Sequence, residues 1–228
     1  MGKISKVKSM SIWIFIVPFL AINICLVMIT QFHGLFPNQE EVIHNTIPYI
    51  DGGASISRTA RVYPTHYIFK PAMFFTSYLL IKYWFYNKEI INSLEKNHQN
   101  IKYIVFFGVG SAILLILHSI FLGIKFDNDI YKLFRRVVML LFIIFEIVAQ
   151  AYLVLSLYKI KDKFENLISL KILKTKRFLV TTLIIVALIA IPIVTQSGFK
   201  HFKHALEWNY FLGVVSFYLL TFLFWKKP

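Results

Sequence analysis

The chain has 228 residues, of which 57% are hydrophobic, 17% aromatic and only 16% charged, with a mean hydropathy of +0.65. A water-soluble domain carries about a quarter charged residues, so most of this surface is solvated by lipid, and a soluble enzyme is excluded. The formal net charge of +14 does not mark a nucleic-acid binder, because the basic residues fall between apolar blocks and form no continuous stripe.

The apolar residues come in blocks of about 20, long enough at about 1.5 Å per residue to cross a hydrocarbon core of about 30 Å. The first block runs from Ser11 to Thr30 behind Lys3, Lys6 and Lys8. It is too long for the apolar core of a signal peptide and lacks a small-x-small cleavage site, so it reads as a retained helix. Cys25, inside this block, is the only cysteine, which excludes an intrachain disulfide and a cysteine-rich metal site. A long polar stretch from His33 to His66 follows, and its Pro37, Pro48, Pro64 and Gly52-Gly53 predict turns rather than another helix. Further helices are predicted near 67–86, 104–123, 137–157, 178–195 and 206–225. Between the fourth and fifth, Ile160, Phe164, Ile168 and Ile172 stand among lysines over 158–177. This is the pattern of an interfacial amphipathic helix or of a basic loop held at an anionic leaflet. The fold class is therefore all-α, a single polytopic bundle of six transmembrane helices over 1–228.

Charge gives the bundle a direction. The N-terminus, the 87–103 and 158–177 segments, the C-terminus and Lys82 hold 16 Lys and Arg, against 9 on the other side, including Lys125, Lys200 and Lys203. By the positive-inside rule both termini are expected in the cytoplasm. The non-cytoplasmic face then carries the 33–66 loop, a short loop around Asp127 and Asp129, and a third around Thr195 to Ala205. The membrane is expected to be Golgi or ER in a eukaryote and the inner membrane in a bacterium.

Ionisable groups inside a bilayer cost about 2.5–3.5 kcal/mol at a helix centre on insertion scales, so each needs a reason. Glu146 lies in the middle of the fourth helix with Gln150 one turn on, either as interhelical glue or facing a substrate. Ser111 and His118 share a face of the third helix, and Glu207 lies in the sixth. Gly108 and Gly110 suit close helix packing. In the outer loop Asp51, Ser55, Ser57, Arg58, Arg61, His66, Tyr67 and Lys70 crowd ahead of the second helix, the donor and cation set that a phosphate or sugar headgroup requires. His66, His118 and Glu146 are the candidates for acid–base catalysis if the chain is an enzyme. His201, His204 and Glu207 recur at three-residue intervals, two imidazoles and a carboxylate of zinc-binding type, but they lack a further fixed ligand, so no metal and no cofactor is expected. Signatures of nucleotide binding, serine hydrolysis and zinc proteolysis do not occur.

The stretch IPYIDGGASISRTARVYPTHYIFKPAMFF resembles the corresponding region of the six-helix FRAG/DRAM/SFK family. It is most similar to the branch containing post-GPI attachment to proteins factor two and the membrane-spanning half of the yeast GPI ceramide-remodelling protein. The resemblance rests on Ser55 and Ser57, then Pro64, Tyr67, Phe69 and Lys70, with Glu146 in FEIVAQAY and the Leu206-Glu207-Trp208 step of the last helix. The chain differs from that branch in having His66 before the Tyr and Phe69-Lys70 in place of Trp-Arg. The resemblance implies a relative that is the membrane unit alone. The resemblance implies handling of lipids or lipid anchors at the non-cytoplasmic leaflet, as in the remodelling of GPI anchors. The expected partners are membrane lipids or a lipid-anchored substrate, and a partner membrane protein if the role is accessory. The alternatives are an intramembrane acyl or phospholipid transferase or hydrolase, and a small-solute transporter.

Overall fold

The computed structural model describes residues 2–96, 98–124, 128–196 and 198–226, so Lys125, Asp127 and Lys227 lie outside the described residues. Six long helices dominate: α1 (Gly2–Gln31), α4 (His66–Leu94), α5 (Ile101–Phe121), α6 (Asp129–Ile160), α7 (Leu170–Thr195) and α8 (Lys200–Phe224). Two short helices, α2 (Pro48–Asp51) and α3 (Ile56–Ala60), interrupt the first long connection. Among the described residues the only extended pairing is a single antiparallel bridge between Ile168 and Trp225.

Five of the long helices (α1, α5, α6, α7 and α8) are long and apolar enough to cross a membrane. The exception, α4, is diluted by Lys70, Lys82, Lys88, Glu89 and a run of tyrosines. The long helices form a ring in chain order, α1 against α4, α4 against α5, and so on to α7 against α8, which α8 closes by packing on α1. Large apolar side chains such as Trp13, Phe106, Leu140 and Ile189 point outward, as they do where lipid rather than water is the neighbour. The interior contains Trp84, Tyr83, Trp208, Phe217 and Tyr218, all at most 2% exposed. Close approach needs small residues: a Cβ on Gly108 would run into the Trp84 ring, and one on Gly110 into Phe145.

Two segments differ from the sequence reading. The loop at 33–65 is not a set of turns alone. Besides 3-10 turns at His33–Leu35 and Gln39–Glu41, it holds α2 and α3. The proline and glycine that argue against helix delimit one instead, since Pro48 occupies the first turn of α2 and Gly52 is its left-handed cap with φ 63°. The 158–177 segment is not a separate interfacial helix. α6 runs on to Ile160, a 3-10 stretch spans Lys161–Leu167, and α7 starts at Leu170. Ile160, Phe164 and Ile168 are at most 4% exposed, so their apolar groups face the bundle.

Candidate functional site

The loop at 33–65 is anchored to the first turns of α8. His204 Nδ1 lies 2.9 Å from the Gly52 carbonyl, Trp208 Nε1 donates to the Ala54 carbonyl at 2.8 Å, and Asn209 Nδ2 donates to the Tyr49 carbonyl at 2.7 Å. The Glu207 carboxylate accepts from the amides of Ile56 and Ser57 at the start of α3, where free N–H groups need acceptors. Gly52 packs so closely on the His201 carbonyl that no Cβ fits there.

Asp51 belongs to this scaffold. It accepts from Thr46 Oγ1 at 2.6 Å, the Ile47 amide at 2.7 Å and the Gly53 amide at 2.8 Å. These bonds, that of Thr46 first and that of Gly53 next, hold its carboxyl below the ordinary carboxylate value. Ser55 is the N-cap of α3 and accepts from the Arg58 amide at 3.1 Å. With α3 thus started, Arg58 and Arg61 line a cleft of about 350 Å³, together with Ser55, Lys200, His204, Glu40 and Glu41. The remaining members of the sequence cluster lie elsewhere. Lys70 Nζ donates to the Ile120 carbonyl at the end of α5, 3.3 Å away. His66 lies tilted against Tyr63 and Tyr67, with Nδ1 at 3.3 Å from the Val62 carbonyl.

A second polar group lies inside the ring. Glu146, 1% exposed, accepts from Ser111 Oγ of α5 at 2.7 Å, from Gln150 Nε2 at 3.0 Å and from the Tyr218 hydroxyl of α8. Gln150 also donates to the Val214 carbonyl at 3.3 Å. The carboxyl therefore ties three helices together. Toward the far end, Lys176 of α7 is fully buried, donates to Thr221 Oγ1 at 2.8 Å and lies over the Phe217 ring at 4.0 Å, while Tyr83 of α4 meets the same Thr221 hydroxyl at 3.3 Å. His118 stands two turns from Ser111 on α5, about 10 Å along the axis. The three candidate acid–base groups, His66, His118 and Glu146, thus occupy separate places, and neither His118 nor Glu146 lines the cleft.

The described residues contain no group of three His, Cys, Asp or Glu arranged to hold a metal. The periodicity of His201, His204 and Glu207 has another use, because His204 and Glu207 are turned onto the loop backbone. Sequence reasoning missed Tyr218, Thr221, Lys176 and the cleft-lining Glu40, Glu41 and Lys200. Tyr218 and Thr221 sit one turn apart in an apolar run, a detectable signal. Lys176 gave none, since a lysine in a basic segment reads as surface charge.

A ring of apolar helices with an interior carboxyl and a polar loop secured on one end defines a multi-pass transmembrane protein. The family model for the Frag1/DRAM/Sfk1/Cwh43P N-terminal domain matches residues 7–225. The chain belongs to that family. No curated protein and no solved structure matches it.

Proposed function

We propose that the chain crosses the membrane six times with both termini cytoplasmic, and that the opposite face holds the headgroup of a lipid or lipid anchor for remodelling. A sixth crossing by α4 is supported by its 29 residues, about 43 Å at about 1.5 Å per residue, and by its place in the ring between α1 and α5. The orientation rests on the distribution of 16 basic residues against 9.

The observation that carries the headgroup reading is the cleft. Arg58, Arg61 and Lys200 supply cations for a phosphate, and Ser55 a hydroxyl; Glu40 and Glu41 belong to the same lining. Cations and carboxylates in one cleft suit a headgroup bearing both a phosphate and either an ammonium or sugar hydroxyls. The loop's attachment to α8 holds these groups in place before ligand arrives, which lowers the ordering cost of binding.

The test is the triple substitution Arg58→Ala, Arg61→Ala and Lys200→Ala in the full chain. Purified protein is expected to lose most copurifying phospholipid or glycolipid, and cells carrying it to show altered lipid or lipid-anchor composition. Unchanged copurification and unchanged lipid composition would overturn the proposal.

A further inference from the structure

At the end of the bundle opposite the 33–65 loop lies a second cavity, of about 540 Å³, within the range of ~300–1,000 Å³ typical of ligand pockets. It forms where the start of α1 and the end of α4 meet the 3-10 stretch at Lys161–Leu167 and the end of α8. One wall is built by backbone. The Ser169 amide donates to the Phe224 carbonyl at 2.9 Å and the Lys226 amide to the Leu167 carbonyl at 3.0 Å, around the Ile168–Trp225 bridge. Leu94, Phe164, Leu167 and Trp225 give the lining its apolar character.

Two features distinguish this cavity from a packing gap. Lys3 and Lys6 stand on its lining; Lys3 pairs with Glu89 at 2.8 Å, while the Lys6 ammonium lies over the Tyr86 ring at 5.3 Å. Outside the lining, Lys163 donates to the Leu94 carbonyl at 3.3 Å and to Glu95 at 3.4 Å. Trp225, only 2% exposed, presents its ring to the cavity. An apolar floor closed by an aromatic ring and rimmed by lysine complements an amphiphile with an anionic head.

We propose that this cavity binds one anionic phospholipid, an acyl chain lying along Phe164, Leu167 and Leu94 against the Trp225 ring and its phosphate at Lys3 and Lys6. The site lies at the far end from the loop cleft and is independent of the function assigned there.

The test uses the full chain in phosphatidylcholine nanodiscs containing a minor fraction of dibrominated-acyl phosphatidylglycerol or, in parallel, the same fraction of dibrominated phosphatidylcholine. The emission of Trp225 is taken as the difference between wild type and Trp225→Phe. It is expected to be quenched at a several-fold lower fraction of the anionic lipid than of the zwitterionic one. The double substitution Lys3→Gln and Lys6→Gln should abolish that preference, and Lys8→Gln, which is outside the cavity, should keep it. Native mass spectrometry from mixed micelles of the same two headgroups gives a readout that does not depend on the Trp225 variant folding. Wild type and Lys8→Gln should retain phosphatidylglycerol, and the double variant several-fold less. Equal quenching by both lipids, absence of Trp225 quenching, or equal retention by all three proteins would overturn the proposal.

Discussion

Replacing Glu146 by Ala separates two roles for this carboxyl, holding helices together and facing a substrate. Three donors lose their acceptor, but not equally. Ser111 keeps the Gly108 carbonyl at 2.8 Å and Gln150 keeps the Val214 carbonyl at 3.3 Å, while the Tyr218 hydroxyl, whose other neighbour Gln150 acts as a donor, has no second acceptor among the described residues. An unsatisfied buried hydroxyl costs about 1–3 kcal/mol, and the two diverted bonds cost little, given that interhelical hydrogen bonds in membranes average about 0.6 kcal/mol. With the space left by the shortened side chain, Glu146→Ala should destabilise by about 2–4 kcal/mol. Glu146→Gln keeps one acceptor oxygen and should cost about 1 kcal/mol. The assay is reversible unfolding of detergent-solubilised protein in dodecyl sulfate, followed by circular dichroism. A double-mutant cycle between Glu146→Ala and Tyr218→Phe should show coupling of about 1 kcal/mol or more, and the cycle with Ser111→Ala less. Additive effects of the first pair, or full stability of Glu146→Ala with loss of lipid copurification, would refute the structural role and place Glu146 in contact with substrate.

Gly52→Ala should loosen the loop, because the position is left-handed with φ 63° and packs on the His201 carbonyl. The left-handed conformation alone costs about 1–2 kcal/mol, and faster limited proteolysis within 33–65 would report the loosening. Asp51 should make the same loop acid-sensitive. Since its folded carboxyl sits below the ordinary value of 3.8, its contribution is complete above that value and disappears as pH falls through the depressed one. Hydrogen exchange at the Ile47 and Gly53 amides, corrected for intrinsic rates, should therefore lose protection at acid pH in wild type, and Asp51→Asn should lack that transition. Lys176→Met should cost less than about 1 kcal/mol or stabilise, because a fully buried amino group is exchanged for an apolar side chain of similar length. Dodecyl sulfate unfolding checks it, and a loss above about 3 kcal/mol would show that the ammonium has a stronger partner than Thr221.

Five of the long helices were legible because a bilayer demands about 20 apolar residues per crossing, a signal that stands out of any composition. The fine structure of the loop was not. Pro48 and Gly52 carry the same local conformational preference whether they make a turn or bound a one-turn helix, and only the landing of that helix on α8 decides between them. Glu146 was legible as an interior group because a lipid-facing carboxyl is too costly. Its partners were not, since which helix faces which is fixed by the ring, and Tyr218 comes from an element 72 residues away. Within the eight-residue loop cluster, Arg58 and Arg61 share the cleft with Ser55, whereas Asp51 is spent on loop geometry and Lys70 on the end of α5.

The two motifs that carry the family resemblance in the loop and in the last helix meet in space. Ser55 starts α3, Glu207 accepts from the amides of Ile56 and Ser57 in its first turn, and Trp208 holds the Ala54 carbonyl just before it. Ser55 and Glu207 therefore act first on the loop backbone, and the charged groups of the cleft, Arg58, Arg61, Lys200, Glu40 and Glu41, lie around that anchored frame. The two sets have separable signatures. Glu207→Ala or Trp208→Phe should increase proteolysis of the loop and lower lipid retention together, whereas Arg58→Ala with Arg61→Ala should lower retention and leave the proteolysis rate unchanged. If the arginine variant loosened the loop as much as the Trp208 variant, the cations would be part of the frame, and the cleft would lose its claim to be a ligand site.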